Sequence, residues 1–262
     1  ACMNAVLAGR DVFLIAPTGA GKSLCFQAPA LLRGLLTVVV SPLLALMHDQ
    51  VIALRAVGVH AAMLSSNETR ESQTKVRAEM KALSTKTGKG SLRLLYLTPE
   101  RLAKSKLVLS MLEQIYSAGR LGLVAVDEAH CISQWGHDFR PDYERLATLR
   151  VQFPKTPILA LTATATPEVA ADVRKCLGIP LAVELRSATN RANLHYAVRL
   201  RPKTSADAIQ SIIKIVKQFP AGTPGIVYCI TRKEAEQIDA AMRSAEDAPI
   251  ESAFYHADLT AE

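Results

Sequence analysis

Aromatic side chains make up only 5% of this 262-residue chain, with one tryptophan among them. Their scarcity makes their placement informative, because Trp135, Phe139 and Tyr143 all fall in one stretch, DEAHCISQWGHDFRPDY, residues 127–143. Cysteine is sparse as well. Cys2, Cys25, Cys131, Cys176 and Cys229 are scattered, odd in number and form no C-x-x-C pair. That argues against a disulfide framework or a zinc site and for a reducing, intracellular setting. Long apolar runs are missing too. The longest, residues 34–47, is too short for a bilayer and is broken by Pro42, so it reads as a buried strand and the start of a helix. No secretory signal opens the chain and Ala1 is not an initiator methionine, so both ends read as cut from something larger. No repeat of solenoid period is present.

What is there is a globular composition, 49% hydrophobic, with a formal net charge of +7 and a pI near 9.2. A basic balance of this kind favours polyanionic partners.

Short apolar or β-branched runs recur at residues 12–15, 37–40, 92–97, 121–126, 157–161 and 225–230, each followed by a stretch of helical period. Continuous apolar runs separated by helices are what a parallel sheet covered on both faces requires, which predicts a doubly wound α/β fold. Ligands of such sheets sit outside the carboxyl ends of the strands. Residues 84–91, STKTGKGS, read as a solvated loop. A second break at residues 186–193, RSATNRAN, precedes a fresh start of the alternation at residues 195–200. The expected division is a first domain over 1–187, a linker over 188–194 and the start of a second domain over 195–262, with room for about three strands.

The strand DVFLIA runs into APTGAGKS, residues 16–23, and then into a helix reaching about Arg33. A glycine-rich turn feeding a helix N-terminus presents several backbone N–H groups, backed by the helix dipole, to a polyphosphate. Pro17, Thr18, Gly19, Ala20, Gly21, Lys22 and Ser23 form this candidate cradle. Lys22 would reach the β- and γ-phosphates of ATP, and the Ser23 hydroxyl would ligate Mg²⁺. Ala16 replaces the usual first glycine of G-x-x-x-x-G-K-[ST].

Asp127 and Glu128 end the buried run LGLVAV on the same expected sheet edge. An Asp there can hold the Mg²⁺ while the adjacent Glu orients and deprotonates the water that attacks the γ-phosphate. Taken alone, His130 reads as structural. The run LALTATAT ends in hydroxyls that allow two readings: a Ser/Thr turn capping the helix near Pro167, or Thr162 and Thr164 bonding the acidic loop and relaying nucleotide state. Spacing does not separate them.

Trp135, Phe139 and Tyr143 are four apart, the spacing of a stripe on a core helix. Gly136 and Pro141 favour a loop instead. Aromatic faces interleaved with Gln134, His137 and Arg140 suit stacking on unpaired bases and gripping phosphates.

These residues resemble a known family. APTGAGKS, SPLLALMHDQ, TPERL, DEAHCISQWGHDFRPDY, LTATAT and GIVYCITRKEAEQ, in this order and spacing, are similar to the motifs of the RecQ family of DNA helicases, and TPERLAKSKLVLSMLEQIY resembles most its short eukaryotic branch. The resemblance implies two RecA-like domains with ATP between them and 3′-to-5′ movement on single-stranded DNA. Lys22 and Ser23 would bind phosphate and Mg²⁺, Asp127 the metal, and Glu128 would activate water. His130 with Thr162, Ala163 and Thr164 would couple nucleotide to DNA. Trp135, His137, Phe139 and Arg140, with Gln134, would sense DNA, and Ser41, Pro42, Thr98, Pro99 and Glu100 would lie along its track. Single-stranded DNA and duplexes with single-stranded tails are the implied partners, in repair or recombination, in the nucleus if the source is eukaryotic. No membrane is implied. The chain starts after the family's adenine-recognising motif and stops before motifs V and VI, so it is expected to bind ATP and DNA but to unwind poorly or not at all. The rivals are a double-strand translocase on the same core and a DNA-binding module with an inactive nucleotide site.

Overall fold

Five of the six apolar runs become strands of one sheet. A computed structural model describes every residue except 66–67, 86–89, 136–137, 189–192, 246–248 and 260–262. Among the described residues, β1 (Val12–Ile15), β2 (Leu36–Val40), β3 (Ala61–Leu64), β4 (Leu94–Leu97), β5 (Leu121–Val126), β6 (Ile158–Thr162) and β7 (Val183–Arg186) form a sheet in the order β3-β4-β2-β5-β6-β1-β7. All its pairings are parallel. Strands β1 to β6 are buried along their whole length, which is why most of them read as unbroken apolar runs. The two edge strands are the ones the sequence hides. β3 is AAML, without a β-branched residue, and β7 is VELR, alternately half-buried and exposed.

Helices α1 (Cys2–Leu7), α2 (Leu24–Arg33), α3 (Leu44–Ala56), α4 (Arg70–Leu83), α5 (Pro99–Lys104), α6 (Lys106–Ser117), α7 (Pro141–Glu144), α8 (Thr148–Gln152) and α9 (Pro167–Cys176) complete this unit. Val6 of α1, Phe26 and Ala30 of α2 and Met47, Val51 and Leu54 of α3 pack on one sheet face with Val12 and Leu14. Val76 and Met80 of α4, Leu112 and Ile115 of α6 and Val173 of α9 pack on the other with Phe13 and Ile15. The alternation along β1 thus divides one strand between two cores. Thr98 and Thr166 cap α5 and α9 through their side chains, each followed by proline in the first turn, the preferred start for a helix. The connection through α2 carries the chain from β1 past β6 and β5 to β2. The carboxyl ends of β1, β6 and β5 therefore lie side by side where the order reverses, the place where such sheets bind ligands.

The chain divides into two units, Ala1–Arg191 and Ala192–Glu262. In the second, α10 (Ser205–Val216) and α11 (Arg232–Arg243) begin at side-chain caps from Thr204 and Thr231 and share a small core of Ile213, Ile238 and Met242. The strands expected at residues 195–200 and 225–230 are not formed: no ladder joins these runs among the described residues. A strand exists only with a hydrogen-bonded neighbour. Lacking one, Val198, Leu200, Ile226, Tyr228 and Ile230 stand in solvent.

Candidate functional site

The turn after β1 is exposed from Thr18 to Gly21, with Pro17, Lys22 and Ser23 half-buried. Gly19 and Gly21 have φ of +85° and +76°. No atom would crowd a Cβ at Gly19, so it is the left-handed backbone and not lack of space that calls for glycine there. Consecutive bonds from Leu24 N to Gly21 O (3.1 Å) and from Cys25 N to Lys22 O (3.0 Å) wind the turn into α2. Ser23 occupies the N-cap position without making a side-chain cap bond. Lys22 reaches back across the turn, its Nζ donating to Ala16 O at 3.0 Å. Ala16 is itself pinned to β6, its N–H donating to Thr162 O at 3.1 Å.

At the end of β5, Asp127 donates its N–H to Val40 O at 2.8 Å. Its carboxyl is buried, and Oδ1 accepts the Glu128 N–H at 3.1 Å. Burial, and then the neighbouring charge of Glu128, push the Asp127 carboxyl up to about 6, against the opposing pull of the Glu128 N–H, Lys22 and His130. Glu128 has φ +48° and ψ +44°, the one left-handed non-glycine among the described residues. Such a backbone costs a side-chain-bearing residue about 1–2 kcal/mol. It carries the Glu128 carboxylate to within 3.3 Å of His130 Nδ1. The same nitrogen lies 2.9 Å from Thr162 Oγ1. Thr162 in turn donates to Thr164 O (2.9 Å) and accepts the Thr164 N–H (3.2 Å). Ala163 is half-buried and Thr164 exposed. The helix cap belongs to Thr166, which accepts from Val169 N. The bond to the acidic loop is thus made by Thr162, the expected second bond from Thr164 is replaced by backbone contacts of Thr164 with Thr162, and the helix cap is Thr166.

The aromatic stretch divides as well. Trp135 is 81% exposed and Tyr143 is fully buried; Phe139 and Arg140 are half-buried and Gln134 is exposed. Tyr143 sits on α7, which Pro141 opens, and its hydroxyl donates to Asp127 O. Arg140 Nη1 donates to Pro42 O at 3.2 Å and Nη2 to Asp138 Oδ2 at 3.1 Å. Cys131 is buried, and its thiol is pushed up to about 12 by burial and the Asp138 charge. His137 lies outside the described residues, as do linker residues 189–192. Of the candidate track, Ser41, Thr98 and Pro99 are buried and Pro42 and Glu100 half-buried. The Thr98 hydroxyl is committed to the Arg101 N–H at 3.2 Å.

Residues not singled out in the sequence join the same edge. Tyr96, wholly buried at the core of β4, donates to Gln50 Oε1 at 2.9 Å, and Gln27 Nε2 approaches that oxygen at 3.4 Å. Burial lifts the Tyr96 phenol to about 12, with the Asp127 charge adding to it. In the sequence Tyr96 is one more residue of an apolar run, and the two glutamines sit on separate helices with no motif to join them.

No helix among the described residues is long and apolar enough to cross a membrane. Residues 1–173 match the DEAD/DEAH box helicase family. The ATP-dependent DNA helicase Q-like 2 of Arabidopsis thaliana is 47% identical over 260 residues, covering 99% of this chain and 36% of that protein. The ATP-dependent DNA helicase Q1 of Mus musculus is 43% identical over 261 residues, 99% of this chain and 39% of that protein. The RecQ-like DNA helicase blm-1 of Caenorhabditis elegans is 40% identical over 260 residues, 98% of this chain and 25% of that protein. The chain therefore spans well under half the length of these relatives. A crystal structure of the DUF1998 helicase MrfA bound to DNA and AMPPNP superposes with a TM-score of 0.65 over 92% of this chain and 34% of that one, at 15% identity; that likeness concerns the RecA-like fold. With the glycine turn, the acidic pair and the hydroxyl run adjoining one sheet edge, and with the family matched over residues 1–173, the chain belongs to the DEAD/DEAH box helicases, among their RecQ-like members.

Proposed function

We propose that this chain is the nucleotide-binding core of an ATP-dependent DNA helicase that moves 3′ to 5′ on single-stranded DNA, with residues 1–187 as the ATP-binding domain, 188–194 as hinge and 195–262 as the start of the second domain. The observation that carries the reading is the convergence of three strand ends. Lys22 follows β1, Asp127 and Glu128 follow β5, and Thr162 ends β6 between them. Lys22 also lies close enough for its charge to act on Asp127.

The donor set fits Mg²⁺. Ser23 and Asp127 offer hard oxygen atoms, and the Asp127 carboxyl, raised by burial and then by its neighbour Glu128, is a group that a nearby cation would ionise. Ser23 and Asp127 would hold the ion, whose charge offsets that of the phosphates. Lys22 would exchange the Ala16 carbonyl for phosphate oxygens. Glu128 would orient the attacking water and take its proton. His130, bonded to Thr162 and close to Glu128, would convey the state of that water to residues 162–164 and to the segment carrying Trp135, Phe139 and Arg140. Exposed Trp135 and Gln134 with half-buried Phe139 are suited to stack on and bond unpaired bases. The Arg140 bond to Pro42 O ties that segment to the loop after β2, whose Pro42 would flank the DNA together with Glu100 at the start of α5. Tailed duplexes, repair or recombination and a nuclear site in a eukaryote complete the reading; its support is the names borne by relatives covered over about two fifths of their length or less.

Calorimetric titration with Mg²⁺–AMPPNP, beside fluorescence anisotropy with an unstructured single-stranded oligonucleotide, tests it. The parent chain is expected to bind both ligands, and Lys22→Ala to bind the nucleotide roughly 10–100-fold more weakly while keeping DNA. DNA binding with no nucleotide affinity in either protein would establish the rival, a DNA-binding module with an inactive nucleotide site.

A further inference from the structure

Beside the acidic pair, three side chains of different chemistry meet. His130 Nε2 lies 3.8 Å from Cys131 Sγ, and Cys131 Sγ lies 3.6 Å from Asp138 Oδ2. One ligand atom from each of the three falls within 4.8 Å of the others. We propose that His130, Cys131 and Asp138 form a three-ligand site for a borderline-soft divalent metal, Zn²⁺ above all, with a fourth tetrahedral position open.

The spacing argues for it first. Tetrahedral zinc with Zn–S near 2.3 Å and Zn–N and Zn–O near 2.0 Å sets sulfur about 3.5 Å from each of the other two ligand atoms. The separations here exceed that by a few tenths of an ångström, within reach of small side-chain rotations. The donor set argues second. A thiol, an imidazole and one carboxylate select Zn²⁺ or Co²⁺, unlike the oxygen pair Ser23 and Asp127 that suits Mg²⁺. The ion would replace the thiol proton that Cys131 now directs to Asp138.

Preorganisation is the third argument. The other imidazole nitrogen of His130 is held by Thr162 Oγ1 at 2.9 Å and faces Glu128 Oε2 at 3.3 Å, so the ring is fixed with Nε2 towards Cys131. A carboxylate on the second nitrogen, here Glu128, is among the usual supports of a metal-binding histidine. The chain between the ligands is closed by Arg140, whose N–H donates to Cys131 O at 3.0 Å and whose guanidinium holds Asp138 at 3.1 Å. A mixed set made of two adjacent residues and one seven positions on leaves no C-x-x-C signature, so the cysteine spacing that speaks against a paired-thiolate site does not bear on this one. A metal here would fasten His130 to the segment leading to Phe139. Any effect on nucleotide turnover rests on the proposed function; the site itself does not.

Titration of the full chain with Co²⁺ reads the site directly, through thiolate-to-cobalt charge transfer and tetrahedral d–d bands, followed by displacement with Zn²⁺ against a chromophoric chelator. The expected result is one equivalent with these bands in the parent chain and in Cys176→Ser, and their loss in Cys131→Ser. Asp138→Asn should weaken binding by at least the about 10–100-fold that follows loss of an outer partner. Asp138 is exposed, so this variant decides the matter even should Cys131→Ser melt early. Unsaturable uptake, bands surviving Cys131→Ser, or unchanged affinity in Asp138→Asn would overturn the site. Neither ATP nor DNA enters the readout, so the outcome is independent of the nucleotide and DNA titrations.

Discussion

Tyr143 donates its phenolic hydrogen to the backbone carbonyl of Asp127, 3.1 Å away and sixteen residues back along the chain. With the Asp127 N–H given to Val40 O, the peptide that carries the buried carboxylate is held from both sides. A residue of the aromatic stretch is thus a strut under the acidic pair.

Tyr143→Phe keeps the ring and removes the donor, leaving a buried carbonyl short of a partner. Stability should fall by about 1–3 kcal/mol. A urea unfolding midpoint compared at equal slope measures it; an unchanged midpoint would mean that the bond contributes nothing.

Trp135→Ala should behave in the opposite way. The ring is 81% exposed, so stability should stay within about 0.5 kcal/mol of the parent. Affinity for an unstructured oligonucleotide should drop by the about 1–3 kcal/mol of one stacked base. A thermal melt and an anisotropy titration on one preparation separate the two effects.

Asp127→Asn tests the raised carboxyl. With a folded value of about 6 against an ordinary 3.8, the folded protein binds this proton more tightly, and wild-type stability declines as the pH rises between those values. Without Mg²⁺, the asparagine variant should be more stable by on the order of 3 kcal/mol above that window, with the difference vanishing below it. Denaturation series at about pH 3, 5 and 7.5 would show it; a constant offset would point to a cause other than ionisation.

Lys22→Ala removes the cation that bonds Ala16 O and steadies the ionised form of Asp127. Loss of a charge-assisted contact of about 1.5–3 kcal/mol predicts roughly 10–100-fold weaker nucleotide binding. The Asp127 transition should also move further above 6. Calorimetry gives the first quantity and the pH dependence of stability the second.

Much of the central sheet was legible because a strand buried on both faces has no polar side to disguise it: residues 12–15 and 121–126 coincide with β1 and β5. The edge strands β3 and β7 escaped because AAML and VELR lack that pattern. The glycine turn after β1 was legible because its glycines stand where the backbone takes positive φ, at Gly19 and Gly21, a conformation that L side chains rarely adopt. The aromatic stretch falls into two parts. Pro141 opens a new helix rather than breaking an old one, which puts Tyr143 in the core and leaves Trp135 outside it. Contacts such as Arg140 to Pro42, 98 positions apart, have no local signature. Neither do the buried positions of Ser41 and Thr98, which depend on how the strands stack.

The unladdered runs of the second unit bear on how the chain behaves in a test tube. Val198, Leu200, Ile226, Tyr228 and Ile230 are each at least 80% exposed, in segments of high β-propensity, and such segments pair with any free edge they meet. Colloidal behaviour then depends on protein concentration and salt: a basic chain of net charge +7 repels its copies at low ionic strength and loses that protection as the Debye length shrinks to about 8 Å near 0.15 M. Light scattering should therefore rise with added salt, and a proline placed at Val198 or Tyr228 should suppress the rise without disturbing the first unit.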